Sequence, residues 1–250
     1  STTSFYISAA LVVIAIIGII TAKFIPKAAA VAPNLNVAKN LVKSSKDIIK
    51  SVISNKRILN AVLFTSWFWL CGSVFLALFA GYVKEVLYAS IGVYQIFLGS
   101  FSIGIAIGAI ATSKLLKNEI TPKFTHLTLF GVTLCTLIMV GLSMLASKSP
   151  TPIGIAEFFS HWWAWPLFLS MVGSAFCWGI YTVPLKTIIQ HESKEEERSR
   201  IIAGENIFNA IFMVLAGVLN TVLISSGVKI LPIFTIIAII NLFVGIMALR

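Results

Sequence analysis

Ionisable and amide side chains are sparse in this chain, and the densest group of them lies between Tyr181 and Asn220. Lys186, Arg198 and Arg200 occupy a charged stretch, and Glu205, Asn206, Asn209 and Asn220 follow along an otherwise apolar run. Glu205, Asn206, Asn209, Met213, Ala216 and Asn220 recur at steps of three and four, the spacing of one helix face. Polar atoms on such a helix need a partner or water when hydrocarbon surrounds them. Asn206 and Asn209 are the first amides on that face. A carboxylate beside cations at the edge of the run suits an ion-pair latch, so Glu205 with Lys186, Arg198 and Arg200 forms a candidate gate, with carriage of a coupling proton by Glu205 as the alternative. The run Glu195-Glu196-Glu197 reads as a solvated helix face and receives no role.

Other chemistries lack their residues. The sequence contains no HExxH, no cysteine or histidine cluster at metal spacing, no glycine-rich phosphate loop and no GxSxG elbow. His126, His161 and His191 lie far apart, none within a helical turn of a carboxylate on the same run, so no catalytic residue, metal or cofactor is expected. His126 reads as an interface residue or, less simply, a proton carrier. Cys71, Cys135 and Cys177 fall in the middle of apolar runs, where they act as small packing residues and imply no disulfide. A retinal-type pigment needs a lysine inside its last span, and the final run has none.

The elements that must position these groups are membrane helices. Of the 250 residues 58% are hydrophobic and only 11% charged, against about a quarter charged in soluble domains. Seven charge-free runs, 1–22, 58–83, 86–113, 124–147, 158–185, 206–228 and 230–249, each reach the roughly 20 residues a spanning helix needs. The short alternating segments of a transmembrane barrel are absent, so the fold class is an all-α membrane protein with seven transmembrane helices. With the first run travelling outside to inside, all basic residues except Lys84, Lys148 and Lys229 fall on the inner side. The positive-inside rule then sets the N-terminus outside and the C-terminus in the cytoplasm. The net charge of +10 is therefore an orientation signal, and no nucleic-acid partner is expected.

Residues 1–26 read as a first, nearly featureless span, and 27–57 as a cytoplasmic linker. Within that linker Ala38, Leu41, Val42, Ser45, Ile48, Ile49, Val52 and Ile53 share one helical face, with Lys39, Lys43, Lys46 and Lys50 on the other. The pattern suits a basic amphipathic helix on the cytoplasmic membrane surface, in contact with membrane lipids, or a helix packed on the protein's own loops. The second run is dense in aromatic residues. The third carries Ser100, Gly104, Gly108 and Thr112 at four-residue spacing, a ridge of small residues that lets another helix approach closely. Trp162, Trp163 and Trp165 read as an interfacial belt. Gly173, Gly179 and Pro184 offer places to bend in the fifth run, and Ser193-Lys194-Glu195-Glu196 has capping-box spacing for a helix start.

Seven spans suit poorly a complete transporter built from paired repeats, whereas one span plus six suits the last helix of a first half followed by a whole second half. NKRILNAVLFTSWFWLCGSVFLALFAGYVKEVL, then FSIGIAIGAI, then YTVPLKTIIQHESKEEERSRIIAGENIFNAIFMV resemble the major facilitator superfamily, and within it the lysophospholipid transporter branch. In particular they resemble the carrier portion of bacterial proteins that fuse this transporter to a lysophospholipid acyltransferase and an acyl-carrier-protein synthetase. The resemblance spans roughly 55–213 and implies that 58–250 is a six-helix C-terminal half. It implies a bacterial inner-membrane carrier of lysophosphatidylethanolamine-type lipids, itself not an enzyme, with an N-terminal half and a fused acyltransferase as partners. A membrane anchor for that acyltransferase, or a small-molecule exporter, are the alternatives. One departure stands out: after Gly108 the chain runs Ala109 to Lys114, keeping a basic residue and lacking the acid of the superfamily's gating loop.

Such carriers line their cavity with the first, second, fourth and fifth helices of each half, here the second, third, fifth and sixth runs. That arrangement makes Trp67, Trp69 and Phe75 candidates for an acyl-chain groove, with lipid-facing or core packing as the alternative for each. It makes Lys84, Gln95, Tyr181, Asn206 and Asn209 candidates for the headgroup, with Lys84 and Glu85 otherwise a surface pair at a helix end.

Overall fold

The computed structural model describes residues 2–26, 41–116 and 121–249. Lys27, Ala38, Lys39, Lys117 and Arg250, which enter the readings of charge and amphipathicity, lie outside these residues. The chain divides into two units, Ser1–Val37 and Ala38–Arg250. The first holds helix α1 (Thr2–Ala22), apolar all along Ser8–Ala22. The second holds α2 (Leu41–Ile53), α3 (Lys56–Gly81), α4 (Ile91–Leu115), α5 (Thr125–Ser143), the short α6 (Ile155–Ser160), α7 (Ala164–Glu192), α8 (Arg198–Ser225) and α9 (Ile230–Met247). Among the described residues no strand forms, and six helices of the second unit, all but α2 and α6, are long and apolar enough to cross a membrane. These helices coincide with the charge-free runs because a chain in hydrocarbon must satisfy every backbone group within its own segment.

Local signals set the helix ends. Asn55 caps α3, its Oδ1 accepting from the backbone N–H of Arg57 at 2.9 Å and of Ile58 at 3.4 Å. At the other end the helix widens into a π turn, Tyr82–Val86, and the chain reverses through Tyr88, whose φ of 52° is left-handed. A single parallel bridge, Ala89 to Ile153, then ties this reversal to the loop before α6. The capping box expected at Ser193 does not start a helix. Its hydroxyl turns back to donate to the Ile189 carbonyl, closing α7, and α8 begins only at Arg198. Competition between the two adjoining helix ends for one serine decides this.

Packing in the bundle follows small residues. The ridge on α4 meets α7: a Cβ on Gly108 would lie 2.2 Å from the Phe176 carbonyl oxygen, and one on Gly179 2.3 Å from that of Ile105. The two backbones therefore touch, and Gly179 serves close approach inside a helix that runs unbroken through Pro184. Between α5 and α7 two sulfur atoms fill the space that glycines leave, Cys177 opposite Gly131 and Cys135 opposite Gly173. Around these contacts α3 packs on α8 and α7, and α5 on α7 and α9.

The amphipathic α2 packs on α8. Its Val52, fully buried, and Ile48 press on Gly204 of α8, where a Cβ would lie 2.5 Å from Val52 Cγ2. Val42 and Ile53 still face outward. Of that apolar face Val52 is buried and Ile48 and Ile49 are half-buried, so α2 packs by part of it, and on the helix α8 rather than on loops. The tryptophan belt is likewise partial: Trp162 and Trp165 are exposed, but Trp163 is buried, stacked on His161 and edge-on to Phe158.

A buried polar clasp joins α3, α5 and α9. The Trp67 indole N–H donates to Asn241 Oδ1 at 2.9 Å, while Asn241 Nδ2 donates to the Leu129 carbonyl at 2.8 Å and to Thr133 Oγ1 at 2.9 Å. Asn241→Leu leaves the indole without its acceptor and is expected to cost about 1–2 kcal/mol. Thermal unfolding in micelles reads this loss, and an unchanged midpoint would mean the clasp adds nothing.

Candidate functional site

One hollow in the bundle has the chemistry of a ligand site. Its wall is a stripe on α3, Phe68, Gly72, Phe75, Leu76 and Phe79, faced by Leu98 and Phe101 of α4, Thr136 and Met139 of α5, and Met171, Ser174 and Trp178 of α7. Its free volume is about 110 Å³, below the roughly 300–1,000 Å³ of enclosed small-molecule sites, and the hollow opens to its surroundings. The α3 stripe steps by three and four residues, so it is one helix face, and Gly72 in its middle opens the groove where a side chain would fill it.

The aromatic walls are fixed by their own packing. Phe75 stacks on Phe234 at 4.5 Å and 14°, Phe68 meets Trp178 edge-on at 5.3 Å, and Phe79 lies against Phe97 and Tyr94. Behind Trp178, the buried Tyr181 donates its hydroxyl to the Phe64 carbonyl at 2.7 Å, pinning α7 to α3. The lining carries two hydroxyls, Thr136 and Ser174, besides the Trp178 indole N–H, and none of these groups bonds to another described residue. The groove thus offers an apolar, aromatic surface with two free hydroxyls in its lining.

Most residues singled out in the sequence for this role lie elsewhere. Of the three expected groove aromatics only Phe75 lines it. Trp67 is turned into the clasp with Asn241, and Trp69 lies 39% exposed, touching Phe68 by its edge. Tyr181 is occupied by a backbone carbonyl and is unavailable to a headgroup. Asn209 is 5% exposed and accepts from the Ser66 hydroxyl at 2.9 Å, because the polar face of α8 is turned to α3. On that same face Asn220 is buried with no partner for its amide among the described residues. Asn206, Gln95 and Lys84 are exposed, and Lys84 forms no ion pair with Glu85. The lining residues that sequence reasoning missed have faint signals: Thr136 and Ser174 are isolated small hydroxyls within apolar runs, and Met139 and Met171 match ordinary core residues.

The gate residues divide in the same way. Glu205, buried with only 2% of its side chain exposed, pairs with Lys186 across α7 and α8. Arg198 instead donates from Nε to the Gln190 carbonyl at 3.2 Å, and Arg200 faces α2, so neither arginine partners the carboxylate. Lysine fits because residue 186 lies within the last two turns of α7, opposite Glu205, whereas both arginines sit in the first turn of α8 itself. At the same end of the bundle Arg57 Nη1 meets Glu192 Oε1 at 2.8 Å, joining the start of α3 to the end of α7. Gly108, where the superfamily's gating loop is expected, is buried against α7.

Fold and groove together define a multi-pass, all-α membrane protein whose bundle holds an aromatic hollow and is tied at its basic end by ion pairs. No protein-family model matches the chain, and neither the curated proteins nor the solved structures compared with it yield a match.

Proposed function

We propose that the chain is the C-terminal six-helix half, with the last helix of the first half before it, of a major facilitator-type transporter that moves lysophospholipids by alternating access. The observation that carries the reading is the groove of Phe68, Phe75, Phe79, Phe101 and Trp178 with the Thr136 and Ser174 hydroxyls. A single acyl chain presents long apolar surface with a hydroxylated glycerol at one end, and the groove complements both. The order of packing also supports it. Exchanging α3, α4 and α5 for α7, α8 and α9 turns the α4–α7 contact into the α8–α3 contact, both extensive, as two repeats in one half would require, although the α5–α7 contact has only a weak counterpart between α9 and α3.

In this reading the acyl chain lies against the aromatic wall and the lipid glycerol exchanges hydrogen bonds with Ser174 and Thr136. The Lys186–Glu205 and Arg57–Glu192 pairs hold the basic end closed and part when the bundle opens. That end faces the cytoplasm of a bacterial cell in the orientation the charges favour.

Ser174→Phe fills the groove without touching the ion pairs. In proteoliposomes containing the full-length protein, translocation of fluorescent lysophosphatidylethanolamine is expected to fall at least tenfold, while Trp69→Ala, outside the groove, leaves it within twofold. Movement of a hydrophilic solute in place of the lysolipid, or a lysolipid rate equal to that of protein-free vesicles, contradicts the reading. Acylation of external lysolipid that survives Ser174→Phe would favour the anchor role.

A further inference from the structure

Away from the groove, a second hollow lies where α2 meets the start of α8, lined by Asp47, Lys50, Ser51 and Ser54 of α2 and by Arg200 of α8. It is a shallow, open depression with about 280 Å³ of free space and a lining of polar residues, unlike the aromatic groove. We propose that this hollow binds a phosphate group, supplied by an anionic phospholipid of the surrounding leaflet.

Two cations from different elements converge there, and neither Lys50 nor Arg200 forms an ion pair with any described residue, the lining Asp47 included. A lysine ammonium and an arginine fork around one small space form the donor set that phosphate oxygens take up. The Ser51 and Ser54 hydroxyls donate to the carbonyls of Asp47 and Ser51 at 3.1 Å and 2.8 Å, and rotation about χ1 re-aims them into the hollow. The Asp47 carboxylate opposes an anion, so the site is selective by requiring both cations at once.

The walls are built. Val52 and Ile48 seat α2 on Gly204, one turn beyond Arg200, so the two cations are held on elements already in register before a ligand arrives. The lipid source follows from what flanks the hollow. Ile53 on α2 and Ile202 on α8 are exposed beside it, and α8 is apolar from Asn206 onward apart from its polar face. A polar hollow with exposed apolar side chains next to it in the chain matches the two ends a phospholipid offers, headgroup and acyl chain. Occupancy would hold α2 against α8 beside the Lys186–Glu205 pair.

Native mass spectrometry of the full chain released from detergent micelles tests the proposal, with phosphatidylglycerol, phosphatidylcholine or inorganic phosphate added. Lys50→Gln with Arg200→Gln is expected to lower retained phosphatidylglycerol about 30-fold. Lys114→Gln with Lys194→Gln, which removes equal charge elsewhere, is expected to lower it less than threefold. Ser51→Glu, which adds a carboxylate to the hollow, should repeat the loss, and all variants should melt within a few degrees of the parent. Inorganic phosphate retained by the parent, and lost with Lys50 and Arg200, supports the same site with a free source. Equal losses in both charge-matched pairs, or retention of every ligand without Lys50 and Arg200, overturn it.

Discussion

Replacing Gly108 with alanine is expected to destabilise the bundle by more than about 3 kcal/mol, and replacing it with leucine to abolish recovery of folded protein. Overpacking that side chains can absorb costs about 1–3 kcal/mol. Here the new methyl would stand 2.2 Å from the Phe176 carbonyl oxygen and 3.1 Å from the Gly179 Cα, so backbones must part. Parting α4 from α7 also loosens the groove, because Leu98 and Phe101 on one helix face Met171, Ser174 and Trp178 on the other. Gly179→Ala should behave alike, its methyl meeting the Ile105 carbonyl oxygen at 2.3 Å. Gly217→Ala on α8 is the control: nothing lies within 4 Å of its added Cβ, and a helical Gly→Ala change is favourable by about 0.5–1 kcal/mol. Unfolding midpoints in micelles separate the cases. Equal responses at Gly108 and Gly217 would mean that α4 and α7 do not touch.

The second large effect is expected at Lys186 and Glu205. Lys186→Met leaves the carboxylate of Glu205 buried without its cation, and stripping one member from a buried pair costs about 3–5 kcal/mol. The lysine side chain is 43% exposed, so water replaces part of the lost interaction and the lower end of that range applies. Lys186→Met with Glu205→Met removes both charges and should recover most of the loss, giving a coupling above about 1.5 kcal/mol in a double-mutant cycle. Additive losses would show that the two side chains do not act as a pair. Changing Arg198 or Arg200 to glutamine should leave that coupling intact, since neither reaches Glu205.

What the sequence disclosed and what it hid follow from the same physics. The spans were legible because hydrocarbon tolerates no charge over 20 residues, which leaves a mark on composition that needs no knowledge of neighbours. The ridge of Gly104 and Gly108 was legible as a contact surface, but α7 as its partner was not, since small residues announce closeness and not identity. On α8 the steps of three and four from Glu205 to Asn220 marked a face of which Glu205, Asn209, Ala216 and Asn220 are buried but Asn206 and Met213 are exposed, and its direction was hidden. A polar face in hydrocarbon turns to whichever neighbour satisfies it, and Ser66 on α3 does so for Asn209. In α3 aromatic side chains occur on every side, so Trp67, Trp69 and Phe75 looked equivalent until Asn241, 174 residues away, claimed one of them. An ion pair at Glu205 was legible but ambiguous among three cations, because a distance of 19 residues from Lys186 becomes a contact only once α7 and α8 are antiparallel.

Whether the groove takes up an acyl chain is read directly by photo-crosslinking. Lysophosphatidylethanolamine carrying a photoactivatable diazirine in mid-chain is irradiated with the protein in native membranes, and the adducts are mapped by peptide mass spectrometry. Adducts are expected on Phe68–Phe79, Leu98–Phe101 and Met171–Trp178, competed away by unlabelled lysolipid and not by diacyl lipid. Adducts spread instead over the outward faces of α4 and α8, at Ile103, Ile107, Val214 and Val218, and equally competed by both lipids, would contradict it.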